Sequence, residues 1–278
     1  MLKKTSVVVL SSVGQRHLHF HKKITMSELK LYSDLAEIYD QLYRKTFNYE
    51  QDAQFVDSIL KKYQIKEFLE LGCGSGHLAK LLFEKEYKIT GIDLYDEMLE
   101  IARKRLPEVE FFQQDIRKLT FDKKFDAIIA MGRMFTYMTT NEDVEQSIGS
   151  IANCLNPGGI FLFDNFSAPH FIRIFQENQE LINEVDLGYR KIKRVSTKTW
   201  NLKHGVTFNW NAKYYIEENG QTKEIEDQSI LRAFFPAELE YFLNREGMQV
   251  VELFDHDSAF TIVAQNKSLK ERSIGVVE

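Results

Sequence analysis

The chain has 278 residues, with 36 basic against 41 acidic side chains, a net charge of −5 and a sequence pI near 5.9. That balance gives no basic footprint for a nucleic-acid partner, and no apolar run approaches the length that spans a bilayer, so neither nucleic acid nor membrane is expected. The two cysteines suggest no disulfide framework and show no metal-ligand spacing; without a spanning run a cytoplasmic protein is expected, and the length allows one large domain or a core with a modest insertion.

Residues 1–25 open with Lys3 and Lys4, a short apolar run from Val7 to Leu10, and a polar stretch rich in His and Lys. The run is too short for a signal peptide and no small-residue cleavage site follows. Met26 starts Met-Ser-Glu-Leu as a natural start would, so residues 1–25 are read as an upstream extension or a loosely ordered arm, with a short added helix or strand as the alternative. Residues 26–64 read as helices rich in tyrosine: Tyr32, Tyr39, Tyr43 and Tyr49. Tyr39 and Tyr43 are four apart and share one helical face, a spacing that an ordinary core stripe also gives.

Phe68 to His77 (Phe-Leu-Glu-Leu-Gly-Cys-Gly-Ser-Gly-His) and Ile89 to Asp93 (Ile-Thr-Gly-Ile-Asp) read as a strand, a glycine turn, a helix start and a second strand ending in an acid. That order signals a nucleotide-like ligand. A dinucleotide fingerprint needs a small residue where His77 stands; here the third glycine is Gly76. Glu70 at the mouth of the turn would oppose a pyrophosphate and attract an ammonium or sulfonium, so a cationic nucleoside fits better. Cys73 inside the loop reads as a small residue tolerated in a tight turn rather than a nucleophile.

Helices are expected from Gly76 to about Lys85, from Asp96 (a candidate N-cap) to Arg105, from Asn141 to Leu155, and over residues 169–183. Between them, Val109 to Asp115 reads as a short strand ending in an acid, and Phe125 to Met131 as an apolar strand buried on both faces. Asn156-Pro-Gly-Gly159 reads as a helix stop before a strand over Ile160–Asp164. Strand and helix thus alternate through about residue 185, which predicts a parallel sheet.

Over residues 186–234 the texture changes to three antiparallel strands, Tyr189–Val195, Val206–Ile216 and Ile225–Phe234, with turn signals at His204-Gly205 and Glu218-Asn219-Gly220. The basic run Arg190–Arg194 reads as a solvated strand edge. A Pro-initiated helix from Phe235 to Gly247 follows, then strands at Met248–Phe254 and Ala259–Gln265. The tail, residues 266–278, is polar.

At the Glu70–Gly76 motif the chain resembles the class I S-adenosylmethionine-dependent methyltransferases. The motifs at Asp93, Asp115, Phe125–Met131 and Asn156–Asp164 follow in the order of that family. The resemblance implies an α/β fold: a Rossmann-like, seven-stranded, mostly parallel sheet with helices on both faces and a small antiparallel β insertion. The core would take in residues 65–185 and 235–265, the N-terminal lid residues 26–64, and a substrate or dimer cap residues 186–234.

It also implies site roles. Gly72, Gly74 and Gly76 would let the backbone approach the cofactor, and Glu70 would lie near its methionyl amino end. Asp93 would hold the ribose hydroxyls. Asp115 and the backbone N–H of Ile116 would meet the adenine, and Met131 and Gly132 would follow as further contacts. Cys73, Leu94 and Met98 complete the cofactor's surroundings, with the lid tyrosines Tyr39 and Tyr43 closing over it.

Lid, insertion and terminal hairpin together look like the sugar-amine N,N-dimethyltransferases over about residues 30–265. Two departures leave the acceptor open: Gly132-Arg133-Met134-Phe135 stands where that branch carries small polar residues, and Phe235 where a histidine is expected.

The expected reaction is methyl transfer from S-adenosylmethionine, leaving S-adenosylhomocysteine, to a small-molecule acceptor. The acceptor atom is read as an amine nitrogen, with oxygen transfer or a non-catalytic cofactor-binding protein as alternatives. Tyr137, Asp164 and His170 are the candidate catalytic residues near strand C-termini, where open α/β sheets bind ligands; for His170 a surface or capping histidine just after Pro169 is the preferred reading. Arg133, Tyr137, Asn165 and Trp210 are candidate acceptor contacts, with Tyr214 and Tyr215 beside Trp210. The insertion would also allow a homodimer.

Overall fold

The structure, a computed structural model, describes residues 29–267. The expected arm at 1–25 and nearly all of the tail lie outside the described residues. In chain order the elements are α1 (Ala36–Thr46), α2 (Tyr49–Lys62), β1 (Glu67–Leu71), α3 (His77–Phe83), β2 (Lys88–Asp93), α4 (Asp96–Arg105), β3 (Glu110–Gln113), β4 (Phe125–Ala130), α5 (Asn141–Cys154) and β5 (Leu155–Phe166). They continue with α6 (Ala168–Ile174), β6 (Leu181–Asp186), β7 (Arg190–Trp200), β8 (Val206–Glu218), β9 (Gln221–Ala233), α7 (Pro236–Arg245), β10 (Met248–Asp255) and β11 (Ala259–Asn266).

Seven strands form one sheet in the order β10-β11-β5-β4-β1-β2-β3. Pairing is parallel from β5 to β3, whereas β11 runs antiparallel to both β5 and β10. The central strands are apolar on both faces because helices cover both. On one face α5 and α7 pack Val144, Ile148, Ile151, Leu239 and Leu243 against Phe161 and Phe163. On the other, Val56 and Leu60 of α2 and Leu78 and Leu82 of α3 meet Phe68, Ile129 and Leu162. The direction of winding reverses between β1 and β4, which opens a crevice at their C-terminal ends where such sheets bind ligands.

A second sheet, β6-β7-β8-β9, is wholly antiparallel. The Glu218 to Gln221 hairpin turns through Asn219 and Gly220, both at positive φ (53° and 74°), the two-residue turn that Asn-Gly favours. The apolar face of α1, with Leu35, Ile38 and Leu42, packs onto Ile192, Ala212, Tyr214 and Ile216 of this sheet. Phe171 of α6 packs onto Phe208. The second sheet therefore stands over the crevice, tied to it through α1 and α6.

The structure departs from expectation in two places. The helix expected over 169–183 stops at Ile174, and Leu181–Asp186 is instead a fourth strand of the second sheet. The backbone turns extended at Phe175 (φ −63°, ψ 121°), which ends the helix, and pairing with β7 sets the period-2 alternation of Leu181–Asp186. Asp96 is the first helical residue of α4 rather than its N-cap; Tyr95 holds the cap position, and the Asp96 carboxylate bonds Arg103 at 2.9 Å. At α5 the cap is Thr140, in a reciprocal box with Asp143.

Candidate active site

The site begins at the turn after β1. Gly72, Gly74 and Gly76 all have positive φ, and a Cβ on Gly72 would come within 2.3 Å of Met134 Cγ. A side chain there would be strained by its backbone and blocked by its neighbour. The turn is tied to β2 through Asp93, whose Oδ2 accepts the Gly74 N–H at 2.9 Å while Oδ1 accepts the Tyr95 N–H at 3.0 Å. Each oxygen keeps a lone pair. Burial lifts the Asp93 carboxyl to about 6 against the pull of those backbone donors.

Behind the turn Glu70 is buried, and its Oε2 has no hydrogen-bond partner. Burial, and then the nearby charge of Asp93, raise this carboxyl to about 8. The folded state thus holds the Glu70 proton up to about 8, against 4.5 for the ordinary side chain. Stability contributed by the protonated form is fully present below the lower value and is lost as pH rises through the upper one. The thermal midpoint of the ligand-free protein is expected to fall between about pH 6 and about pH 8, and Glu70→Gln to flatten that fall. Equal slopes in the two proteins would remove Glu70 as the cause.

From this turn a cavity of about 490 Å³ runs to the second sheet. Of the residues anticipated around a cofactor, Tyr39, Tyr43, Glu70, Gly72, Cys73 and Gly74 line it, as do Asp93, Leu94, Asp115, Ile116 and Met131. Of those anticipated around an acceptor, Arg133, Tyr137 and Trp210 line it. Asp115 accepts from the side chain and backbone N–H of Arg117, which hold its carboxyl below the usual range against its burial.

Five anticipated residues do not line the cavity. Gly76 lies under Ala102 of α4, and the Met98 methyl group sits beneath Gly74. Asp164 accepts the Arg133 backbone N–H at 2.7 Å from behind the wall, its carboxyl raised to about 6 by burial. Asn165 is fully buried with neither amide atom partnered. His170 lies on α6 with Nδ1 3.5 Å from Arg173, outside the cavity lining.

Aromatic rings form the middle of the cavity. Tyr32 and Tyr137 are joined hydroxyl to hydroxyl at 2.6 Å, and Tyr39 stacks on Tyr43 with centroids 4.1 Å apart. Burial drives the Tyr32, Tyr39 and Tyr137 phenols upward, so they stay protonated at neutral pH. At neutral pH Tyr137 thus presents a hydroxyl that hydrogen-bonds with Tyr32. Arg133 has a left-handed backbone (φ 61°), and its guanidinium lies 5.3 Å from the Phe166 ring centroid.

Next to Tyr39, Asp40 of α1 meets the glycine loop: its Oδ1 is 2.8 Å from His77 Nε2 and 2.8 Å from Arg105 Nη2. This docks the helix that bears the tyrosines onto the glycine loop.

Sequence reasoning passed over Asp40, Asp52, Lys198 and Asp227, and took Arg194 for a strand edge. The missed signal was the alternation along β7, which puts Ile192, Arg194, Ser196 and Lys198 on the inward face.

Residues 68–159 match the sequence profile of the methyltransferase domain family. YqeM of Bacillus subtilis strain 168, a protein named as a methyltransferase, is 30% identical over 190 residues, which is 66% of this chain and 76% of the relative. The dTDP-3-amino-3,4,6-trideoxy-alpha-D-glucopyranose N,N-dimethyltransferase of Streptomyces venezuelae is 26% identical over 78% of this chain and 91% of its own length. Among solved structures, the SAM-bound amino pentose methyltransferase CalS10 of Micromonospora echinaspora superposes with a TM-score of 0.71 at 20% identity, covering 83% of this chain and 97% of that one; at that identity the likeness is one of fold.

Proposed function

This chain belongs to the class I S-adenosylmethionine-dependent methyltransferases, and we propose that it methylates an amine nitrogen of a small-molecule acceptor held between the glycine loop and the second sheet. The observation behind this reading is one continuous cavity with an acidic nucleoside-type end and a tyrosine-lined end joined at Tyr137. Kinship with sugar-amine N,N-dimethyltransferases supports nitrogen as the acceptor atom.

The residues present fit the cofactor. Glu70 has a buried, unpartnered oxygen suited to the ammonium of the methionyl end. Asp93 has a free lone pair on each oxygen, enough for the two ribose hydroxyls. Asp115 and Ile116 would hold the adenine edge, and Gly72 and Gly74 leave room for close backbone approach. Cys73, Leu94 and Met131 would complete that wall, with Met98 and Gly76 supporting the loop from behind.

When bound, S-adenosylmethionine supplies a methyl group already activated by its sulfonium. What is left to the protein is to hold the acceptor in line and to exclude water, a matter of proximity and orientation. Tyr32, Tyr39 and Tyr43 would close the top of the cavity. The Tyr137 hydroxyl, fixed by Tyr32, would orient the amine without taking its proton. The acceptor arrives as an ammonium and has to lose a proton before attack. Asp52 and Asp227 also face this cavity, and burial raises both carboxyls toward the range in which they can accept that proton.

Tyr137→Phe is expected to leave cofactor affinity near wild type and to lower kcat about tenfold, because the acceptor loses one orienting contact. Titration calorimetry and steady-state kinetics measure the two separately. Amine acceptors are expected to turn over and their hydroxyl analogues not to; preferential methylation of the hydroxyl compounds would overturn nitrogen as the acceptor atom.

A further inference from the structure

The chain before α2 crosses the cavity as a strap, and Tyr32, Tyr39, Tyr43 and Phe47 of this segment line it. Its start is pinned down: the Leu29 N–H donates to the Tyr95 hydroxyl at 3.2 Å, and the Lys30 N–H to Asp227 Oδ1 at 2.9 Å. At its other end the backbone turns extended at Phe47 (φ −108°, ψ 145°) before Asn48 caps α2. A non-helical link therefore joins α1 to the core.

The two sides of α1 are unlike. Ile38 and Leu42 are buried against the second sheet, whereas toward the glycine loop the buried apolar residue of α1 is the small Ala36, beside Tyr95 and Met98. What ties that side down is Asp40. Its Oδ1 lies 2.8 Å from Nε2 of His77, the first residue of α3, and 2.8 Å from Nη2 of Arg105, the last residue of α4. Arg105 reaches both partners at once, since its Nη1 donates to the Ser75 carbonyl of the glycine loop. Tyr49 stacks on the His77 ring with centroids 4.8 Å apart.

The Asp40 and Arg105 side chains are 14% and 16% exposed, enough to shield the pair from most solvent screening, and neither lines the cavity. Burial raises the Asp40 carboxyl, but hydrogen bonds from His77, Ser75 and Arg105 outweigh it and hold the group well below the usual carboxylate range. Parting α1 from the second sheet would expose Ile38 and Leu42 to water, whereas parting it from the glycine loop returns two charges to water that solvates them well. The polar seam is the one that can open and close, and Asp40 biases it toward closed. Tyr39 and Tyr43, one residue before and three after Asp40 on the same helix, move with it.

We propose that Asp40 is a positioning residue that latches α1 against the glycine loop, so that S-adenosylmethionine enters and S-adenosylhomocysteine leaves only while the Asp40–Arg105 pair is broken. This rests on the cofactor lying at the glycine loop and adds the element that controls its exchange. Because the pair stands outside the cavity lining, it favours the closed state with the cavity filled or empty. Breaking it speeds entry and exit together and leaves equilibrium affinity nearly unchanged, whereas loss of a direct cofactor contact would speed exit alone.

The test is exchange of labelled S-adenosylhomocysteine on the full chain, with association followed after rapid mixing and dissociation after dilution into unlabelled ligand. Asp40→Asn and Arg105→Gln are each expected to raise both rates about tenfold while the dissociation constant moves by less than about threefold. The double variant should be no faster than either single one, and Asp40→Glu should restore part of the slow exchange. Arg105→Gln, at the C-terminal end of α4, gives the same reading should Asp40→Asn fail to fold. Rates equal to wild type in both variants, or faster dissociation with unchanged association, overturn the latch. Failure of the wild type to bind S-adenosylhomocysteine at all would count against the cofactor assignment instead.

Discussion

Asp93→Ala is expected to weaken S-adenosylmethionine binding by about 1–3 kcal/mol, the range for losing hydrogen bonds to a charged acceptor. The Asp93 carboxylate does two things at once. It braces the glycine turn by accepting the N–H groups of Gly74 and Tyr95, and its remaining lone pairs face the cavity where a ribose diol would lie. Alanine removes both, so the loop loses its anchor and the diol its acceptors. Asp93→Asn keeps one acceptor oxygen and should fall between. Because burial holds this carboxyl at about 6, wild-type affinity should also decline as pH falls through that value, a decline absent from Asp93→Asn. Calorimetric titration of all three proteins measures this, and an unchanged affinity in Asp93→Ala would remove the ribose assignment.

Gly91→Val is expected to produce the largest loss of stability, about 1–3 kcal/mol, as overpacking in a closed interior does. Gly91 lies on β2 between Glu70 of β1 and Phe111 of β3. A Cβ there would meet the Phe111 ring at 2.6 Å and Cys73 Sγ at 3.1 Å. The ring cannot leave without exposing an aromatic face that α4 covers, and Cys73 is fixed in the glycine turn. For a chain of this size each kcal/mol lowers the thermal midpoint by about 2–4 °C. Chemical denaturation of the variant tests the loss, and a midpoint within error of wild type would show that the β2–β3 edge is loosely packed. Cofactor affinity should fall with it, since Asp93 follows two residues later on the same strand.

The core was legible because its signals are local. Gly72, Gly74 and Gly76 mark a turn at positive φ, the backbone that glycine adopts most readily; the mainly apolar runs at Phe68–Leu71 and Phe125–Ala130 match strands with both faces covered; and Asn219-Gly220 announces its hairpin. The second sheet was half legible. The first half of β6, Leu181–Asn183, was read as the end of a helix because these residues fit either period, and only pairing with β7 decides between them. The acceptor end was the least legible. Arg194 and Lys198 sit in a basic strand that resembles a solvated edge, and their inward orientation depends on α1 and α6 covering that face, a long-range packing fact. Asp40 was hidden likewise: its neighbours Tyr39 and Tyr43 drew attention as rings, while its partners His77 and Arg105 lie far away in sequence.

The central claim is that one cavity brings an activated methyl group and an amine together. The most direct measurement is turnover: purified protein, methyl-labelled S-adenosylmethionine and a panel of small amines that do and do not bear a phosphate or carboxylate. The prediction is release of S-adenosylhomocysteine with label recovered on the nitrogen of at least one amine, and loss of that signal in Asp93→Ala. Tight cofactor binding with no label transferred to any amine would contradict it.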